Sequence, residues 1–194
     1  MKSERTKAVA AGILYILGTV FGVVSMTLMT PVLDGSGLLP AARSEAWRLT
    51  GGALGIMGMG LSLAFIPVVL FPLLRRASET LAVGYLVFRG ALETVTYLLS
   101  VAACLALASL AVATPAPGEP AAWAALTGVL AGYCRLPLPV FVFSAGAILF
   151  YWLLFRNQLV PRWLSLAGLA AIALHLATGI LLVLGLQTTD SLAN

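Results

Sequence analysis

Five long apolar runs are the feature that most constrains what this chain can fold into. They lie at residues 8–33, 51–74, 79–113, 140–155 and 163–186. A membrane-crossing α-helix needs about 20 predominantly apolar residues. In lipid, a backbone must satisfy its own hydrogen bonds, and an α-helix does so within one segment. The runs therefore predict an all-α fold, a transmembrane helical bundle of five spans.

Composition excludes a water-soluble alternative. Apolar residues make up 61% of the chain and charged residues only 9%, whereas a soluble domain has about 45–50% and roughly 25%. A folded protein of this size still exposes much of its surface, so no soluble packing could hide this excess. The segments between the runs are too short to form a soluble domain. Residues 1–194 are predicted to form a single transmembrane domain.

One further apolar segment, residues 121–134, is too short to cross a bilayer alone. A proline-rich break at residues 114–120 precedes it, and Pro137 and Pro139 follow it. We interpret it as an interfacial or half-inserted helix beside the five spans. If it crossed the membrane after all, the chain would have six spans, and that alternative stays open.

Basic residues sit at the ends of the apolar runs and predict the topology. Seven fall on one side of a five-span chain and two on the other: Lys2, Arg5, Lys7, Arg75, Arg76, Arg156 and Arg162 against Arg43 and Arg48. The positive-inside rule then predicts a multi-pass protein of the bacterial inner membrane with a cytoplasmic N-terminus. The net charge of +4 does not indicate nucleic acid, because the basic residues neither run together nor share one polar face. The expected partner is the lipid bilayer.

Two charged residues interrupt the third run and mark a candidate site. Arg89 and Glu93 are four residues apart and so lie on one face of an α-helix, which Tyr85 and Tyr97 extend by one turn each way. Counted from Leu81, Glu93 is about 18 Å deep, near the bilayer midplane, where an ionisable residue is costly and functional by default. The pair is either structural, neutralising itself and locking helices together, or a ligand or proton site.

His175, the single histidine, is predicted at a similar depth in the last run. Beside a carboxylate it could relay protons; the alternative is a histidine hydrogen-bonded to a backbone carbonyl. Metalloprotease, nucleotide-binding and hydrolase motifs are missing, so no catalytic residue, metal ligand or cofactor is assigned. Cys104 and Cys134 lack the spacing of a zinc site, and we interpret them as buried, inert thiols.

Three segments carry a resemblance to a known family. They are LFPLLRR at 70–76, GYLVFR at 84–89 continuing to Glu93, and LLFRNQLVPRWLSL at 153–166. Through them the chain resembles the bacterial membrane proteins grouped as domain of unknown function 4386, over nearly its whole length. The resemblance implies a multi-span helical fold and supplies no activity, substrate or catalytic residue.

These observations favour a non-enzymatic membrane protein that binds a small or lipidic ligand, or a protein partner, within a helical bundle. Two alternatives stay open. One is a membrane-embedded enzyme acting on a lipid or quinone, with Glu93 and His175 as its acid and base. The other is a small proton-coupled transporter, which at this size would need to form a homo-oligomer.

Overall fold

A computed structural model describes residues 2–34, 38–113, 120–134 and 138–184 of the chain. Every secondary-structure element within these residues is helical. The elements are α1 (Lys2–Leu33), α2 (Leu38–Ser44), α3 (Ala46–Leu74), α4 (Glu79–Tyr85), a π-helix (Leu86–Leu92), α5 (Glu93–Val112), α6 (Pro120–Cys134), α7 (Leu138–Arg156) and α8 (Arg162–Val183). The predicted all-α class is confirmed.

Five helical segments of the described chain are long and apolar enough to cross a membrane. They are Glu4–Leu33, Ala46–Leu74, Glu79–Val112, Ala121–Arg156 and Arg162–Val183. The fourth combines α6 and α7 and passes over residues 135–137, which lie outside the described residues. Since α6 has 15 residues, it is only about 22 Å long, shorter than a ~30 Å hydrocarbon core. The prediction of five spans with one additional short helix is confirmed.

Several predicted boundaries were wrong, all at polar ends of spans. Helix α1 begins at Lys2 rather than at residue 8. The segment predicted as a connector, residues 34–50, contains α2 and the start of α3. Polar composition misled the prediction because a helix can extend beyond an apolar segment, where its charged side chains can form ion pairs with one another. For example, Arg48 Nε lies 2.5 Å from Glu45 Oε2. The end of the predicted last run, from residue 185 on, lies outside the described residues.

The contacts divide the chain into two compact units. Unit 1 comprises residues 1–12, 63–94 and 137–194, and unit 2 comprises residues 13–62 and 95–136. The core of unit 1 is formed by Leu74, Ala82, Tyr85 and Leu153. Two clusters form the core of unit 2, one around Leu49 and Leu107 and one around Ala53 and Cys104. All of the charged candidate site lies in unit 1.

In unit 2, α1 and α3 pack at a glycine face. A Cβ atom on Gly55 would lie 2.9 Å from the Ser25 Cβ and 3.1 Å from the Phe21 carbonyl oxygen. The Ser25 hydroxyl donates a hydrogen bond to the Gly52 carbonyl oxygen at 2.8 Å. Small residues allow this approach of two backbones, which is how helices associate where lipid offers no hydrophobic gain. Glycines of the second run thus face α1.

In unit 1, α7 and α8 form an antiparallel hairpin with a tight turn. The Asn157 side chain donates to the Leu153 carbonyl oxygen at 2.9 Å as α7 ends. Gln158 then has a φ of 51°, the left-handed conformation that commonly terminates helices. Pro161 immediately precedes α8, where its fixed φ suits a helix start. The turn thus sets α7 in register with α8, and α7 supplies the other half of the candidate site.

Candidate functional site

A π-helical segment, Leu86–Leu92, interrupts the third span and carries Arg89. Its wider turn is seen where the Glu93 N–H donates to the Phe88 carbonyl oxygen, five residues back instead of four. The Thr94 hydroxyl donates to the Gly90 carbonyl oxygen at 2.6 Å and so gives this carbonyl a partner. The apolar pattern of residues 79–113 predicts an α-helix throughout and gives no sign of this wider turn. Single π-turns inside α-helices occur frequently at functional sites.

Helices α3 and α7 both contact the π-helix at positions where one of the two partners is a glycine. The Cβ position of Gly90 is 3.4 Å from Pro67 Cγ of α3. The Cβ position of Gly146, on α7, is 3.3 Å from the Arg89 backbone nitrogen. Any side chain at Gly146 would therefore meet the π-helix backbone itself. These contacts hold the π-turn and fix where the Arg89 side chain begins.

Arg89 and Glu93 form a buried ion pair on this segment. Arg89 Nη1 lies 2.5 Å from Glu93 Oε1 and 2.6 Å from Glu93 Oε2. Only 6% of the Arg89 surface and 1% of the Glu93 surface are exposed. The two charges neutralise each other where either alone would be costly in lipid. Both contacts with Glu93 use Nη1, whereas a guanidinium carries five N–H donors, so Arg89 has donors beyond those that hold Glu93.

Aromatic rings line the pair. The Arg89 guanidinium carbon lies 4.6 Å from the centre of the Phe143 ring on α7, within the ~6 Å range of a cation–π interaction. Tyr85 is buried and stacks on Phe150, with ring centres 4.8 Å apart. Phe143 and Phe150 come from a helix distant in sequence, so no local pattern identified them.

The other two predicted site residues lie elsewhere. The His175 ring meets Phe143 edge to face, with centres 5.4 Å apart, and its side chain is exposed on α8. Both His175 and Arg89 thus contact the same Phe143 ring. Tyr97 belongs to unit 2, where its ring packs against Gly60. The exposed position of His175 differs from the buried histidine beside a carboxylate that a proton relay would require.

A buried hydroxyl without a hydrogen-bond partner lies on the turn of α7 that contacts Arg89. Ser144 is 1% exposed, and its Oγ has no partner among the described residues. Serine and threonine in helices usually bond back to a carbonyl four residues earlier, as Thr94 does. Ser144 lies between Phe143 and Gly146, the two residues of α7 that touch Arg89. Burying a hydroxyl without a hydrogen-bond partner is costly.

No metal site accompanies these groups: the described residues contain no cluster of three histidine, cysteine or acidic side chains able to hold a metal ion. What the site can do is present N–H and O–H donors next to aromatic rings, in a place screened from water.

Five helical segments long and apolar enough to cross a membrane indicate a polytopic α-helical membrane protein. The three motif segments noted in the sequence lie at the end of α3, on the third span, and around the turn between α7 and α8. The chain belongs to the family described as Domain of unknown function (DUF4386), whose model matches residues 10–192. No curated protein and no solved structure matches the chain.

Proposed function

We propose that this protein binds a small lipid-phase ligand through the polar head of that ligand, at the Arg89–Glu93 pair in unit 1. The observation that carries the proposal is the conjunction of a buried ion pair with a π-turn and an unpartnered hydroxyl, Ser144. A purely structural role would explain the ion pair, but it would not require the wide turn.

The surroundings favour an amphipathic ligand. Arg89 has N–H donors beyond those on Nη1, so it suits a head with carbonyl, carboxylate or phosphate oxygens. Phe143 and Phe150 offer flat apolar surfaces for the body of the ligand. His175 is exposed beside Phe143, which supports entry from the lipid through the outer face of α8. The enzyme alternative would require His175 and Glu93 to act on one molecule, and the contacts of His175 instead support a role at this entrance.

We expect ligands with oxygen-bearing heads, such as quinones and fatty acids, to raise the melting temperature of the protein purified in detergent. Because Arg89 makes the contact, the shift should disappear in the Arg89→Met, Glu93→Gln double variant, which is neutral and leaves no charge buried. A thermal-shift screen that includes cationic amphiphiles as a chemical contrast measures this. The Glu4→Gln, Arg76→Met variant is the matched control, since it removes an exposed ion pair of the same unit.

Ser144→Ala separates a binding role from a structural one. Removing an unpaired buried hydroxyl should leave the ligand-free melting temperature unchanged or raise it, while the ligand-induced shift becomes smaller. The proposal fails if no ligand shifts the melting temperature, or if the double variant keeps the full shift.

We further propose that the protein lies in the bacterial inner membrane with a cytoplasmic N-terminus. Within unit 1, Arg76 Nη1 lies 2.8 Å from Glu4 Oε1, which brings the N-terminal segment to the end of α3. Leu74 and Leu153 belong to the same core cluster there. The end of α3, next to Arg75, and the end of α7, which carries Arg156, therefore lie together. Basic residues gathered at one end of unit 1 support the assignment of that end to the cytoplasmic side.

Cysteine labelling tests the orientation. In a chain whose native cysteines are changed to alanine, a Ser44→Cys variant should react with an impermeant maleimide in intact spheroplasts. The Ser3→Cys variant should react only after the membrane is opened, because residue 3 is expected on the cytoplasmic side. Labelling of Ser3→Cys in intact spheroplasts would reverse the topology.

A further inference from the structure

The two cysteines lie together in unit 2, although nothing in their spacing predicts it. The Cys104 thiol on α5 donates to the sulfur of Cys134, and the two sulfur atoms are 2.8 Å apart. This distance is only about 0.8 Å longer than the ~2.0 Å of a disulfide bond. Cys104 is fully buried, Cys134 is part-buried at the end of α6, and both are thiols. The sequence predicted two buried, inert thiols, and the structure places them in contact with each other.

Helix packing, rather than a chance approach, sets this register. Cys104 is buried in a cluster with Met29, Ala53 and Val101, against which Cys134 also packs. One turn before Cys134, Ala131 packs in a second cluster with Leu107 and the small residues of α5. Small side chains on both helices let α5 and α6 approach closely, and the two sulfur atoms meet as a result.

We propose that Cys104 and Cys134 form a redox-active dithiol that closes to a disulfide and tethers α6 to α5. The oxidant belongs to the class of disulfides that undergo thiol–disulfide exchange. The Cys134 thiolate, as the more accessible of the two, attacks one sulfur of the oxidant, and a thiolate leaves while a mixed disulfide forms. The Cys104 thiolate then attacks the Cys134 sulfur and displaces the second thiolate. The two protons lost by the cysteines go to the two departing thiolates, so two thiols replace one external disulfide.

Dithiodipyridine, a small apolar disulfide, tests the closure on the full chain in detergent. Each exchange releases one coloured thiopyridone. The wild-type protein should release two per chain and retain no pyridyl group, so its mass falls by two hydrogen atoms. Dithiothreitol should reverse the change. Because a cross-link restricts the unfolded chain, the oxidised protein should also melt several degrees higher. Two pyridyl groups retained on the wild-type chain would refute the proposal, since separate thiols would each keep one.

A displaced thiol gives the matched control. The Tyr133→Cys, Cys134→Ala variant moves the second sulfur one residue back, about 100° around α6, to an exposed position. It should keep a pyridyl adduct at residue 133 and should not close. If it closed as fast as the wild type, movement of α6 rather than the packed register would explain the disulfide, and the proposal would fall.

Discussion

Replacing Glu93 with glutamine is expected to reduce the free energy of unfolding by about 3–5 kcal/mol, because breaking a buried ion pair from one side leaves the other charge buried and uncompensated. Arg89 is 6% exposed and is held between the π-turn and the Phe143 ring, so its guanidinium cannot readily reach water. The measurement is the unfolding transition of the purified protein in detergent, followed by loss of helical signal with heat or added denaturing detergent.

The Arg89→Met, Glu93→Gln double variant should recover most of this loss, because it removes the orphaned charge together with its partner. Methionine keeps an unbranched chain against Phe143, so the packing changes little. Glu4→Gln provides a control at an exposed ion pair, where the expected loss is about 0–1 kcal/mol. A double variant no more stable than Glu93→Gln would contradict a compensated pair, as would a Glu93→Gln protein as stable as the wild type.

The ion pair was predictable because its evidence is local. A spacing of four residues places Arg89 and Glu93 on adjacent turns of any continuous helix, and the cost of a lone charge in lipid makes them partners. The five spans were predictable for a similar reason, since length and apolar composition are read directly from consecutive residues. Both predictions depend on neighbours in sequence and on the nature of the surrounding solvent.

The π-turn was not predictable from the same pattern. One additional residue in a helical turn changes the direction of every following side chain, yet it leaves an apolar run apolar. The prediction that Tyr85 and Tyr97 extend one face assumed regular α-helical rotation through residue 90. The structure places Tyr85 against Phe150, and Tyr97 against Gly60 in unit 2. Gly90 stands in the wide turn, but the chain has 19 glycines, so one glycine gave no usable signal.

Contacts between distant segments account for the remaining differences. Phe143 and Gly146 contact Arg89 only because α7 packs against the π-helix, which lies far away in sequence. The sulfur atoms of Cys104 and Cys134 meet across 30 residues for a comparable reason. Such pairs carry no periodicity that a single sequence displays. What a lone sequence does offer is the residue types themselves: one deep carboxylate, one deep arginine and two cysteines.

Substituting Gly55 with leucine should be the most damaging single change in unit 2. Its Cβ would lie 2.9 Å from Ser25 Cβ and 3.1 Å from the Phe21 carbonyl oxygen, and neither Cβ nor backbone can rotate away. Overpacking typically costs about 1–3 kcal/mol and occasionally more. Here α1 and α3 would have to separate, which would also strain the hydrogen bond from Ser25 to the Gly52 carbonyl. We expect a lower melting temperature in detergent, well outside the spread of repeat measurements.

Substitutions at two other glycines are expected to lower the stability less than Gly55→Leu. A Cβ on Gly52 would clash with Met29 Cγ, so the Met29 side chain would have to shift, but the nearest backbone atom, the Ser25 carbonyl oxygen, is 3.4 Å away. Gly52→Ala should therefore cost less than Gly55→Leu. Gly12 has nothing within 4 Å of its Cβ position, so Gly12→Leu, on the same helix as Ser25, should stay within about 0.5 kcal/mol of the wild type. If Gly55→Leu and Gly12→Leu melt at the same temperature, the glycine face does not hold α1 against α3. If they differ as expected, the close approach of two backbones, rather than glycine content, is what stabilises this part of the fold.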